Sequence, residues 1–192
     1  MKSDLFKVFL TLLFVIPFFV PCVGCSEPLF PYEGGTTPKP GTHAPIITHS
    51  FAVEKGPYGY IWKIYIQAED PDGDMFKIAS VVDQVGYGPY PTDWSFLKPE
   101  YGSNFKGYLQ WNTFSSRTSH LTEWTQITLK VSVFDKAGNE SNVVVFPFTF
   151  ELTSRPYAYQ PPEPFDQADL PKVGYIHVDL IDPLILGSHG RD

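Results

Sequence analysis

Cysteine, methionine and basic residues are all scarce in this chain. Its 192 residues include two Cys and two Met, and 14 Lys+Arg stand against 21 Asp+Glu, for a formal net charge of -7. Both cysteines, Cys22 and Cys25, lie near the start. Downstream of Cys25 there is no thiol, which excludes an internal disulfide, a CxxC redox pair and a cysteine nucleophile in that part of the chain. The excess of acid, with no basic cluster, excludes the electrostatic footprint of a nucleic-acid binder, because phosphate contacts dominate that affinity. No segment after the N-terminal apolar run has helical periodicity, so a catalytic α/β fold is not expected. His43, His49, His120, His177 and His189 fall in no metal-binding spacing, and no GxSxG, P-loop or dinucleotide-binding glycine pattern occurs. Asp166, Asp169, Asp179 and Asp182 are scattered and read as solvated or strand-end charges. The expectation is a protein that is not an enzyme.

What is present begins with location. Lys2 and Lys7 form a short basic start, Val8 to Val20 is an almost unbroken apolar run, and Cys22-Val23-Gly24-Cys25 closes it. That ending resembles the lipobox of bacterial lipoproteins, in which a small residue precedes an acylated cysteine and an aliphatic residue stands two before it. Val23, Gly24 and Cys25 match; Cys22 stands where leucine is usual. The resemblance implies a signal peptide over residues 1–24 and a lipid on Cys25 that holds the protein to a membrane. Ser26 replaces the aspartate that resembles an inner-membrane retention signal, which leans towards the outer membrane. Cleavage without lipidation and a retained anchor are the competing readings. The second is poorly served by a run shorter than the ~20 residues needed to span a bilayer and interrupted by Pro17.

Residues 25–43 form a tether: Ser26 to Thr42 holds four prolines and three glycines and has no hydrophobic periodicity. Residues 44–153 change to short alternating apolar runs bounded by Gly, Pro, Asp and Asn, the pattern of an all-β domain of roughly the size of one antiparallel β-sandwich of about seven strands. Pro45 to Val53 is the first expected strand, followed by a turn at Lys55-Gly56-Pro57. In Tyr60 to Glu69, Trp62, Ile64, Ile66 and Ala68 take one face. Phe76 to Asp83 and Phe105 to Thr113 are further strands around a long Gly-, Pro- and Tyr-rich excursion from Gly86 to Asn104. Thr125 to Asp135 places Ile127, Leu129, Val131 and Val133 inward and pairs with Asn142 to Phe150 across Lys136-Ala137-Gly138-Asn139. Residues 154–192 are a proline-rich strap followed by an apolar strand, Val173 to Ile181. That strand is expected to pack on its own domain, the alternative being strand addition to an envelope protein partner.

The runs from Trp62 to Asp74 and from Val131 to Asn139 resemble motifs of bacterial cadherin-like, fibronectin type III-like and other immunoglobulin (Ig)-like extracellular domains. That resemblance implies an Ig-like sandwich serving adhesion, spacing or ligand presentation. Asp70, Asp72 and Asp74 offer hard oxygen ligands at alternate positions beside Glu69, and in such a fold the loop of Asp135 and Asn139 falls at the same end, so a Ca²⁺ site is one of two readings, and the less favoured. The other reading of Asp-Pro-Asp-Gly is ordinary turn chemistry, with aspartates bonding nearby amides. The turn is not an EF-hand, because its glycine falls at loop position 4 and Val81 occupies position 12, where a Glu is needed.

Aromatic residues make up 16% of the chain. Several crowd the middle excursion, and most are expected in the core. Tyr87, Tyr90 and Trp94 are the expected exposed exceptions and, as platforms for a glycan, the basis of an alternative function. The leading expectation is a lipid-anchored binding or structural protein of the cell envelope, outside the cytoplasm.

Overall fold

The computed structural model describes residues 41–114, 125–151 and 159–181, all within the compact unit Pro38–Asp192. The expected signal segment, Cys25 and most of the expected tether lie outside these residues.

Two-residue alternation sets the architecture. In β3 (Ile61–Glu69) the buried positions are Trp62, Ile64, Ile66 and Ala68, and in β8 (Gln126–Asp135) Ile127, Leu129, Val131 and Val133 are all buried. A strand with one apolar face must bury it, at roughly 1.5–3 kcal/mol per large aliphatic side chain, and two such sheets satisfy each other face to face. The first sheet has the order β1-β3-β7-β10, with β1 at Ile46–Phe51, β7 at Asn104–Asn112 and β10 at Lys172–Ile176. The second runs β2-β9-β8-β4-β5, from β2 (Lys55–Gly56) through β9 (Val144–Phe150) and β4 (Met75–Gln84) to β5 (Gly88–Pro89), and β6 (Asp93–Phe96) also pairs with β4.

The opening strand is divided between the sheets: β1 is antiparallel to β3, and β2 is parallel to the last strand of the hairpin, β9. With β3–β7 in one sheet and β9–β8–β4 in the other, this is the strand order of an Ig-like sandwich. Its centre is built from aromatic rings. Trp62 and Trp111 are fully buried, Trp62 lies 4.6 Å from the ring of Phe148, and both indoles donate to main-chain carbonyls, Trp62 to Val53 and Trp111 to Val178.

Three local expectations change. Lys55-Gly56 is a short strand on β9, since Thr149 and Glu151 donate amides to the carbonyls of Glu54 and Gly56. The excursion 86–104 contains β5, β6 and a 3₁₀ turn at Pro99–Tyr101. Finally, the C-terminal strand spans Lys172–Ile176 and not Val173 to Ile181, and residues 177–181 follow it outside regular structure.

That segment is part of the core. β10 runs parallel to β7, and Val173, Ile176, Val178 and Leu180 are all buried. Gly107 permits the close approach: a Cβ there would sit 2.4 Å from the carbonyl oxygen of Pro171. Ser95 of β6 donates to the Tyr175 carbonyl at 2.6 Å, so the segment closes the gap between the two sheets. Of the strap before it, Phe165 is almost wholly buried, its ring 5.6 Å from that of Tyr65 on the outer face of the first sheet.

Candidate functional site

The acidic loops do meet at one end, as the topology requires. β3 ends at Glu69 and the chain turns through Asp70 to Asp74 into β4; the β8–β9 loop joins it where Lys136 donates its amide to the Asp74 carbonyl at 3.0 Å. Asp70, Asp74 and Asp135 are 3%, 8% and 2% exposed. Carboxylates this buried need donors, and main-chain amides supply most of them. Asp70 accepts from Asp72 N through Oδ1 and from Asp74 N through Oδ2. Asp135 accepts the Asn139 amide and side-chain Nδ2, both at 2.7 Å. Asp72, at the rim, accepts His43 N at 2.7 Å and faces the His43 ring at 3.2 Å.

Asp74 is the exception. Its Oδ2 accepts Gly41 N at 3.3 Å, while Oδ1 is buried with no hydrogen-bond partner among the described residues. Burial pushes the Asp74 carboxyl above its ordinary value, and the Asp70 and Asp135 carboxylates push the same way. The Asp72 carboxyl is held below its ordinary value, chiefly by the main-chain amide of His43.

Of the two readings of the acidic turn, the hydrogen bonds match the turn chemistry, with aspartates on nearby amides. Glu69 does not join the cluster, being exposed at the end of β3. The oxygens of Asp70, Asp72 and Asp135 are directed at amide and imidazole donors, which provide the compensation a cation would. Among the described residues no three His, Cys, Asp or Glu side chains converge as a metal centre. What the cluster does hold is the incoming chain. Gly41 is gripped through its amide by Asp74 and through its carbonyl by Asn139 Nδ2 at 3.3 Å, and His43 is gripped by Asp72. A Cβ on Gly41 would lie 2.8 Å from Asp72 Oδ2, so glycine is needed at that approach.

The three aromatic candidates part company. Trp94 is 39% exposed on the outer face of the second sheet, but Lys77 Nζ sits 3.9 Å from its ring centroid and Phe134 meets it edge-on at 5.4 Å. It borders a groove of about 380 Å³ with Ala79, Phe134 and Val143. Tyr90, expected outside, is 8% exposed: its hydroxyl donates to Gln84 Oε1 and accepts Ile181 N at 2.8 Å, and Gln84 Nε2 donates to the Ile181 carbonyl at 2.7 Å. Burying a tyrosine hydroxyl is tolerable only with such partners.

Tyr87 remains outside, its ring tilted by 31° against that of Tyr90 at 4.7 Å between centroids. Together they form one wall of a recess of about 400 Å³. Its other side comes from the C-terminal segment: His177 and Asp179 face Thr92 and Asp93, and His177 N donates to Asp93 Oδ2 at 3.0 Å. The recess lies beyond the Gln84 end of β4, opposite the acidic end where Gly41 and His43 enter.

An Ig-like β-sandwich with its chain entry clasped at one pole and a mixed polar and aromatic recess at the other is the class that these features define. No protein-family profile and no curated protein matches the chain. Among solved structures it is similar to the PKD domain of an M14-like peptidase from Thermoplasmatales archaeon SCGC AB-540-F20. The identity is 17% and the TM-score 0.37, over 57% of this chain and 94% of that one. The fold assignment rests on the strand order and takes nothing from that likeness.

Proposed function

We propose that this protein is a lipid-anchored, non-catalytic binding module of a bacterial cell envelope, held through Cys25 to the outer membrane. The observation that carries this reading is the run from Lys2 to Cys25, followed by a proline- and glycine-rich tether that leads to a sandwich. The geometry supports it at two points. The tether's last residues, Gly41 to His43, are fastened to the domain by Asp72, Asp74 and Asn139, so a pull on the anchor would be borne by a hydrogen-bonded clasp. The buried carboxylates Asp70 and Asp135 act on main-chain amides, which is a structural duty. An envelope partner recruited by a free C-terminal strand is not favoured, because that strand's apolar face lies in the core of its own domain.

The test is the intact mass of the membrane-extracted protein together with the fractionation of Cys25→Ala. Lipidation gives a chain starting at Cys25 with a diacylglyceryl group, and the variant leaves the membrane fraction or stays unprocessed. An unmodified mass and unchanged fractionation of Cys25→Ala would overturn the anchor. Turnover of any substrate by the purified chain would overturn the non-catalytic part.

A further inference from the structure

We propose that the recess between Tyr87 and Asp179 is a binding site for a neutral saccharide; this rests on reading the protein as an exported binding module and names its ligand class. Three observations lead there. First, the recess is built rather than incidental. Its two sides come from segments about ninety positions apart, which Tyr90, Gln84 and Asp93 tie together through hydrogen bonds to Ile181 N, Ile181 O and His177 N. A site fixed in this way is ordered before ligand arrives and needs no further ordering on binding.

Second, its lining has the chemistry of a sugar ring. A pyranose offers an apolar face of C–H groups and an equatorial rim of hydroxyls. Tyr87 keeps 37% of its surface exposed while its ring lies 4.7 Å from that of the anchored Tyr90 at a tilt of 31°, so the wall is aromatic. Opposite it stand Thr92, Asp93, His177 and Asp179, acceptors and donors for hydroxyl groups, with the Asp93 carboxylate already oriented by the His177 amide. The volume of about 400 Å³ is in the lower part of the range that small ligands occupy.

Third, charge selects within the class. The described residues of the lining include two aspartates and no lysine or arginine. Uronates, phosphosugars and sulfated glycans would meet two carboxylates, with His177, its Nδ1 3.6 Å from Asp93 Oδ2, as the one group of the described lining able to carry positive charge, whereas neutral hydroxyls donate to the carboxylates. Position agrees as well: the recess opens at the pole of the sandwich opposite the Gly41 and His43 clasp.

The experiment is amide-shift mapping and titration calorimetry on the full chain in detergent, with neutral cello-, xylo-, manno- and N-acetylchito-oligosaccharides and with oligogalacturonate as the anionic probe. The expected result is saturable binding of at least one neutral series, with shifts at residues 87–93 and 177–181. Tyr87→Ala should weaken it by roughly tenfold or more, Tyr87→Phe should keep most of the affinity, and Trp94→Ala should change nothing. Asp179→Lys, a second exposed variant, should also weaken the neutral ligand. The proposal falls if no neutral series binds, if oligogalacturonate binds as tightly, or if the shifts gather around Trp94 and Phe134. Membrane fractionation of the same preparations separates the two readings: sugar binding by a chain that is never lipidated overturns only the anchor, and an acylated chain that binds no saccharide overturns only this site.

Discussion

Replacing Leu180 with alanine asks whether the C-terminal segment belongs to the same cooperative unit as the sandwich. Leu180 is fully buried, so the substitution removes its transfer free energy and leaves a cavity, a combination worth about 2–5 kcal/mol. The cost falls as the site collapses, and here collapse is opposed from both sides. Two residues earlier, the Val178 carbonyl is fixed by Trp111 Nε1 at 3.0 Å; one residue later, Ile181 is fixed at its amide by Tyr90 and at its carbonyl by Gln84. The upper part of the range, about 3–5 kcal/mol, is therefore expected. With a urea m-value near 2 kcal/mol/M, that lowers the unfolding midpoint by roughly 1.5–2.5 M. The assay is urea unfolding followed by tryptophan fluorescence, which reports on buried Trp62 and Trp111, and in parallel by far-UV circular dichroism. A single transition with an unchanged slope and a lowered midpoint is the expected outcome. Val145→Ala, on the exposed outer face of β9, serves as control and should cost under about 0.5 kcal/mol. Were Leu180→Ala no worse than that control, or were a separate low-urea phase to appear, the segment would be a detachable flap and its place in the core would be refuted.

Asn142 mimics a strand partner for β1, accepting Ile47 N at 2.8 Å and donating to the Ile47 carbonyl at 3.1 Å; Asn142→Ala should cost about 1–3 kcal/mol in the same urea assay, and a neutral result would mean that water replaces it without loss. Gly107→Ala would drive a methyl group into the Pro171 carbonyl and Val173 and should destabilise by about 1–3 kcal/mol; wild-type stability would show that β10 can shift at no cost. Asp74 gives a pH test. Its carboxyl is raised in the folded state above the ordinary value of 3.8, so the folded chain binds the proton more tightly and stability falls as pH rises from 3.8 through the folded pKa. Asp74→Asn should therefore raise the melting temperature at neutral pH, by a margin that shrinks as pH falls towards 4, and a lower melting temperature at neutral pH would contradict the assignment. Because the carboxylates of Asp70, Asp72 and Asp135 already accept from amides, millimolar calcium should leave the parent's melting temperature unchanged; a rise abolished by Asp74→Asn would favour the cation reading.

The parts of this fold legible in the sequence are those in which one local rule decides the outcome. β3 and β8 could be read residue by residue because the two-residue period leaves one consistent assignment of Trp62 to Ala68 and of Ile127 to Val133. The β8–β9 hairpin followed from Lys136-Ala137-Gly138-Asn139 between two apolar runs. β5 and β6 were hidden because glycine and proline mask the alternation between Gly86 and Asn104, and β6 is ordered by pairing with β4, which no local signal specifies. The parallel partner of β10 was likewise invisible, since β7 lies some sixty positions away and a lone apolar strand is compatible with any unpaired edge.

The candidate sites divide along the same line. The meeting of the Asp70–Asp74 and Asp135–Asn139 loops was a consequence of topology and could be expected. Which donors their carboxylates face depends on side-chain geometry within a few ångströms, and the amides of the incoming Gly41 and His43 are among them. Tyr90 was misplaced for a reason that matters to function. Counting aromatics in a loop treats each ring as equally free, yet Gln84 and Ile181 between them satisfy the Tyr90 hydroxyl and draw it inward, which leaves Tyr87 presented on a fixed base. The same three-way contact brings His177 and Asp179 opposite Tyr87. The C-terminal segment thus has one physical role with two results: the hydrogen bonds that seat it on the open side of the sandwich also complete the wall of the recess. A variant that loosens the segment, such as Gly107→Ala, should therefore weaken saccharide binding along with stability, whereas Tyr87→Ala should weaken binding alone.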